Sequence, residues 1–73
     1  MTRVFTAAIH REGDGYVALC PELDIASQGA SVEEVRDNLC EALELFFEAA
    51  GSQEIKDRLH EDVYLTSLEV KVG

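Results

Sequence analysis

The 73-residue chain lacks tryptophan and has little proline, cysteine or basic charge, with six lysine and arginine residues against fifteen acidic ones. At a net charge of −9, direct binding to a phosphate backbone is not expected, because like charges repel. A basic protein partner suits this charge better. No run of about 18 apolar residues occurs, and the first residues lack the apolar stretch of a signal peptide. A cytoplasmic protein is therefore expected.

The two cysteines, Cys20 and Cys40, form no CxxC pair and have no histidine at the spacing of a zinc site. Because cysteine is usually buried, two buried free thiols are the expected state. A bond between them would have to join the end of a strand to the middle of a helix, and the sequence leaves that open. No metal ion or cofactor is expected.

Residues Ser31 to Ala50 predict one long amphipathic helix. Ser31 and Glu34 form a Ser-x-x-Glu capping box, and Gly29 and Gly51 bracket the segment. At helical spacing one face is apolar, with Val32, Val35, Leu39, Leu43, Phe46 and Ala50. The opposite face is acidic, with Glu33, Glu34, Asp37, Glu41, Glu44 and Glu48. The apolar face needs a sheet to pack on, so this helix is expected to close the core.

Strands are expected before and after the helix in the sequence. Alternating or β-rich patterns predict four of them, over residues 3–10, 16–20, 25–30 and 64–72. Gly13 and Gly15 are available for positive φ between the first two strands, and Gly29 permits a bend before the helix. A short, weak helix is expected over residues 52–60. The expected fold is α+β, a two-layer β-β-β-α-β domain with an antiparallel sheet and one main helix.

Three motifs follow one another in a fixed order along the chain. They are GYVALCPELDIASQG from Gly15 to Gly29, Ser31-x-x-Glu34, and Asn38-Leu39-x-Glu41-Ala42-Leu43. In this order they resemble the HicB antitoxin family, closely over residues 3 to 50 and loosely over the last strand. The resemblance implies a partial ribonuclease-H-like fold without nuclease activity. It also implies assembly into homo-oligomers and neutralisation of a small basic HicA-type mRNA interferase.

Members of that family often carry a C-terminal DNA-binding domain. Because this sequence ends at Gly73, the expectation is a single HicB-like domain over residues 1–73 without that addition. A second reason to expect homo-oligomers comes from the first strand, which is apolar on both faces although one helix can cover only one of them.

An enzyme is not expected, although fifteen carboxylates invite the hypothesis of a metal-dependent nuclease. No acid lies between Arg3 and Arg11 on the first strand, and the helix carboxylates face away from the predicted sheet. His10 and His60 have no Ser, Cys or Asp nearby that would complete a catalytic triad. Two alternatives stay open: a degenerate nuclease relative, and a self-associating module with an unrelated partner.

Partner binding is assigned to the acidic helix face and to the turn after the second strand. Leu45 and Phe47 flank the apolar helix face, so each is either covered by the final strand or short helix or exposed beside the acids. Tyr16 is more often a packing residue than a contact residue. The candidate partner-binding residues are Tyr16, Glu22, Asp24, Glu33, Asp37, Glu41, Glu44, Leu45 and Glu48.

Overall fold

Residues 2–73, which the computed structural model describes, form three strands and two helices. The strands are β1 (Ala8–Glu12), β2 (Gly15–Cys20) and β3 (Ile25–Gly29), and the helices are α1 (Val32–Ala49) and α2 (Ser52–Arg58). The strands pair antiparallel in the order β1-β2-β3, and α1 packs across this sheet. The expected two-layer α+β arrangement is therefore confirmed, with three strands in place of four. No helix within residues 2–73 has both the length and the apolar character needed to span a membrane.

A tight turn at Gly13 and Asp14 joins β1 to β2, with Glu12 paired to Gly15. Gly13 has φ +61°, the left-handed conformation that glycine adopts without steric cost. Gly15 serves a different purpose from the one expected. A Cβ at this position would lie 2.9 Å from the carbonyl oxygen of Gly29, so glycine permits close packing of β2 against β3.

The connection from β2 to β3 is a compact turn that buries Leu23. The carbonyl of Cys20 accepts hydrogen bonds from the amides of Leu23 and Asp24, at 3.3 and 2.8 Å. Arg58, at the end of α2, donates to the Leu23 carbonyl at 2.9 Å and lies over the ring of Phe46 at 5.4 Å from its centroid. The short helix is thereby fastened to both the turn and α1.

Helix α1 begins as the capping motif predicts. The Ser31 hydroxyl accepts from the Glu34 amide at 3.1 Å, although within the described residues the Glu34 carboxylate makes no return bond to the cap. Val35 and Leu39 are fully or almost fully buried. Val32 was expected on the same buried face but is 47% exposed. The sheet ends at Gly29, which meets the helix at Val35, about one turn beyond Val32.

The core is small and lies between α1 and the sheet. Its buried members are Ala18, Cys20, Leu23, Val35 and Leu39. The half-buried residues packed around them are Phe5, Ile9, Tyr16, Ile25, Leu43, Phe46, Phe47 and Leu59. Cys20 is a buried thiol as expected, whereas Cys40 is exposed, which corrects the expectation that both are buried; the two thiols are free.

The first strand lies further along the chain than expected, at Ala8–Glu12 instead of residues 3–10. Ladder pairing starts at Ala8 and Leu19, and β2 ends at Cys20 because Pro21 opens the turn. Residues before Ala8 therefore have no strand beside them on this side. The Thr6 amide instead donates to the Glu22 carboxylate, at 3.0 Å to Oε2.

The expected final strand over residues 64–72 is not formed. After Arg58 the described residues carry no helix or strand, and the chain from Tyr64 to Gly73 is exposed throughout. A strand exists only where a neighbouring strand supplies its hydrogen-bond partners, and no strand of the three-stranded sheet pairs with this segment. We call residues Tyr64–Val72 the C-terminal segment.

Candidate protein-binding surface

A stripe of carboxylates runs along the outer side of α1. We call it the acidic ridge, and its members are Glu33, Asp37, Glu41, Glu44 and Glu48. At 100° and 1.5 Å per residue they fall within an arc of about 80° and span about 22 Å. All five are exposed, because the opposite side of α1 is packed on the sheet through Val35 and Leu39. The expected exposure of this acidic face is confirmed.

Little positive charge offsets the acidic ridge. Among the described residues, the one ion pair that reaches it joins Arg36 Nη1 to Asp37 Oδ1 at 3.9 Å, with both side chains mostly exposed. An ion pair of that length and exposure contributes little stability. The Cys40 thiol lies 4.0 Å from Glu44 Oε1, at the limit of a sulfur hydrogen bond. The ridge therefore presents nearly its full negative charge to solvent.

Leu45 is the apolar neighbour of this ridge. Its side chain is 55% exposed, one position after Glu44 on the same helix. Phe47, the other flanking residue, packs against the core, and its ring stacks on Phe5 at 5.5 Å between centroids. Phe47 is therefore covered by Phe5, which lies in residues 3–7, the N-terminal segment, and no final strand is formed to cover it. Leu45 and the ridge together form an apolar position beside a line of carboxylates.

Tyr16 belongs to the core instead of the exposed surface. It lies at the start of β2, pairs with Arg11 and Gly29, and packs against the core cluster. One side of it borders an open depression of about 510 Å³ that Glu34 also lines. The interpretation of Tyr16 as a packing residue is consistent with this position.

Glu22 has a structural role within the β2–β3 turn. Its carboxylate accepts from the Thr6 hydroxyl at 2.7 Å, from the Thr6 amide, and from the Cys20 thiol at 3.4 Å. Burial favours the neutral acid, but the hydrogen bonds from Thr6, from its own amide and from Cys20 outweigh burial, so the pKa of Glu22 is lowered. These contacts leave it poorly placed to serve a partner.

Cys20 is correspondingly unreactive. Burial raises the pKa of its thiol, and the hydrogen bond to Glu22 raises that pKa further, against the opposing effect of the Leu23 backbone. The thiolate is the nucleophilic form of cysteine, so a raised pKa suppresses nucleophilic chemistry. His10 and His60 are both exposed.

Asp24 lies apart from the acidic ridge. It is exposed and adopts φ 55° in the turn after β2, where its carbonyl is 3.5 Å from Arg58 Nη2. Short polar residues such as aspartate tolerate this left-handed conformation better than most. The candidate residues therefore divide into the ridge with Leu45, the core residue Tyr16, and the turn that holds Glu22 and Asp24.

No three His, Cys, Asp or Glu side chains within residues 2–73 lie close enough together to hold a metal ion. The ridge carboxylates are spaced along one helix and point outward. Comparison with family models, with curated proteins and with solved structures finds no match to this chain. Its function is therefore inferred from its own residues.

One concave feature could not be anticipated from the sequence. It is an open groove of about 330 Å³ between the residues that lead into β1 and the side of α1, and we call it the edge groove. Its lining includes Arg3, Phe5, Ala7, Leu39, Cys40 and Leu43. The groove depends on where residues 3–7 cross the helix, and local sequence patterns do not report that crossing.

Proposed function

We propose that this chain is a HicB-like antitoxin domain that neutralises a small basic HicA-type mRNA interferase by protein–protein contact. The observation that carries the proposal is the acidic ridge, a line of nearly unpaired carboxylates with exposed Leu45 beside it. The ordered motifs between Gly15 and Leu43 support it, as does the net charge of −9.

The chemistry of the proposed target explains why such a surface is effective. An enzyme that cleaves RNA binds a polyanion, so its substrate-binding surface is positively charged. A row of carboxylates about 22 Å long offers that surface a competing anionic partner. Complementary charge raises the rate of association and selects among partners, while an apolar contact at Leu45 adds desolvated area. The domain needs no catalytic group to act in this way.

The proposal includes a partial ribonuclease-H-like fold. An antiparallel β1-β2-β3 sheet followed by a helix across one face is compatible with that architecture. It also includes action in the cytoplasm, where an mRNA interferase meets its substrate.

Isothermal titration of the full chain with the basic protein encoded in the neighbouring reading frame tests the proposal. Binding at micromolar or lower concentration is expected. The variant Glu41→Lys is expected to weaken it by about tenfold or more, since a close attractive charge pair becomes repulsive. Glu54→Lys is the matched control, because Glu54 is exposed on α2, outside both the acidic ridge and β1, and the change in charge is identical.

Two results would contradict the antitoxin proposal. One is the absence of heat and of complex formation at micromolar concentrations. The other is an equal loss of affinity in Glu41→Lys and Glu54→Lys, which would mean that the net charge of the chain determines binding and the acidic ridge does not. An RNA-cleavage assay with the basic protein completes the test, since inhibition is expected to follow the same order as affinity.

A further inference from the structure

The C-terminal segment is apolar surface without a partner in the described chain. Five of its side chains are between 62% and 91% exposed, namely Tyr64, Leu65, Leu68, Val70 and Val72. Leu68, Val70 and Val72 alternate with Ser67, Glu69 and Lys71, which is the period of a strand with one buried face. A strand-forming sequence is therefore present without the ladder that would make it a strand.

The outer edge of β1 is open to an added strand. β1 pairs with β2 on one side, and within residues 2–73 no strand pairs with its other side. Alternate residues of an edge strand direct their N–H and C=O groups outward, where another strand can bind them. The edge at β3 is less open, because α1 packs closely there and the Asn38 amide donates to the Gln28 carbonyl at 2.9 Å.

The edge groove lies where the apolar side of an added strand would be. It runs beside the residues that lead into β1, and Phe5, Leu39 and Leu43 make much of its lining apolar. A strand laid on this edge with Leu68, Val70 and Val72 toward α1 would place those side chains over the groove. Its polar set would then face the side of the sheet that carries no helix.

The C-terminal segment and the residues around β1 do not share the strong negative charge of the rest of the chain. Residues 3–12 carry two arginines against one glutamate. The C-terminal segment carries Glu69 and Lys71, so its net charge is zero. Contact between the segment and the β1 edge is therefore not opposed by the charge repulsion that acts elsewhere in this acidic chain.

The path of the chain leaves the C-terminal segment unpaired with its own β1 edge. The His60 amide donates to the Glu22 carbonyl at 2.7 Å, and Arg3 pairs with Glu61 at 3.2 Å, so the chain is anchored up to this point. Beyond it the segment leaves the body of the molecule. The Cα radius of gyration is 14.2 Å and the long axis 48 Å, whereas a compact domain of this length has a radius of about 11 Å.

We propose that two copies of this chain exchange their C-terminal segments, so that residues 64–72 of each pair as a strand with the β1 edge of the other. The exchange is reciprocal, since each copy offers one segment and one edge, and it therefore closes into a two-fold dimer. The segment of nine residues and the five residues of β1 place 14 residues of each copy in the contact, fewer than the roughly 20 to 30 on each side of a standard interface. The proposal stands independently of the antitoxin function.

Light scattering on the full chain tests the dimer. A mass of twice 8.1 kDa is expected in the micromolar range. Val70→Asp is expected to weaken the association by about tenfold or more, because it places a charge where an apolar side chain is buried. Ser67→Asp adds the same charge to the opposite side of the segment and is expected to change the association by no more than about twofold.

Disulfide trapping distinguishes exchange from folding back. Cys40 is exposed in the edge groove, so Val70→Cys is expected to form a disulfide with it between two chains under mild oxidation. The product is a covalent dimer that Cys40→Ser abolishes, while Ser67→Cys is expected to give less of it.

Three outcomes overturn the proposal. They are a monomer at every micromolar concentration, a dimer that Val70→Asp leaves unchanged, and, in the Val70→Cys variant, a disulfide that joins Cys40 to the introduced thiol within a single chain. Because the segment lies outside the core, the helical circular dichroism signal of these variants is expected to match that of the parent chain, which shows that the core is still folded.

Discussion

Glu22 holds both ends of the chain to the core. Its carboxylate receives two donors of Thr6 and the Cys20 thiol, and its carbonyl accepts from the His60 amide. The N-terminal segment and the start of the C-terminal region are therefore tied to a single residue of the β2–β3 turn. The lowered pKa of this carboxyl group reflects the hydrogen bonds that favour its charged form.

The variant Glu22→Gln is expected to lower the free energy of unfolding by about 1 to 2 kcal/mol at neutral pH, since bonds to a charged acceptor are lost. A carboxyl group whose folded pKa lies below its ordinary value of 4.5 stabilises the fold above that value and loses this contribution as the pH falls. The difference between variant and parent is therefore expected to shrink in acid. Urea unfolding at about pH 7 and about pH 3 measures it.

Glu48→Gln is the control for this experiment, because Glu48 is exposed on α1 and makes no ion pair within the described residues. Its free energy of unfolding is expected to stay within about 0.5 kcal/mol of that of the parent chain. Equal stabilities of Glu22→Gln and the parent at neutral pH would contradict the role given to Glu22.

Helix α1 has a buried side and an exposed side. Its close packing against β3 determines which residues lie on each side. A Cβ at Gly29 would lie 2.7 Å from the Val35 amide nitrogen and 3.0 Å from the Val35 Cα. Glycine at this position is needed for close approach of strand and helix. Its φ is not positive, and the expected bend before the helix lies at Ala30 and Ser31. Because α1 packs this closely against β3, Val35 and Leu39 are buried while the acidic ridge remains exposed to solvent.

Gly29→Ala is accordingly expected to destabilise the fold by about 1 to 3 kcal/mol, because the backbone of α1 must move away from the strand. Gly51→Ala is the matched control: nothing lies within 4 Å of an added Cβ there, and its effect is expected to stay within about 0.5 kcal/mol. Thermal and urea unfolding of both variants measure the contrast. Similar stabilities of the two variants would contradict the packing argument.

The whole molecule combines a small core with a large negative charge. Five residues are buried, and the described residues form two exposed ion pairs, Arg3–Glu61 and Arg36–Asp37, with one further exposed contact between His10 and Glu12. Acidic side chains spaced four apart on α1 repel one another, as in the pairs of Glu33 with Asp37 and of Glu44 with Glu48. Self-repulsion therefore opposes both folding and the association of two copies.

Raising sodium chloride from about 0.02 to about 0.5 M is expected to increase the free energy of unfolding by about 1 kcal/mol, because salt screens these repulsions. The double variant Glu44→Gln/Glu48→Gln is expected to show a smaller increase. Urea unfolding at the two salt concentrations is the measurement. The same change in salt is expected to weaken binding of a basic partner. A fall in the free energy of unfolding with added salt would contradict the conclusion that repulsion between the acidic side chains destabilises the fold.

Much of the local structure could be predicted from the residues. Helix α1 was expected over Ser31–Ala50 and spans Val32–Ala49, with Ser31 as its cap and the carboxylates outside. The hairpin and β3 also lie close to their expected positions. Cap, period and turn signals are local, since a helix makes its hydrogen bonds within its own segment and a tight turn needs only neighbouring residues.

Contacts between segments that are far apart in the sequence determined the features that local patterns did not predict. Phe47 is covered because Phe5 crosses it, and Glu22 is occupied by Thr6. Residues 64–72 have the pattern of a strand in the sequence but lack one in the fold. The pattern specifies which side chains a strand would bury, whereas the hydrogen bonds that make a strand must come from another stretch of chain.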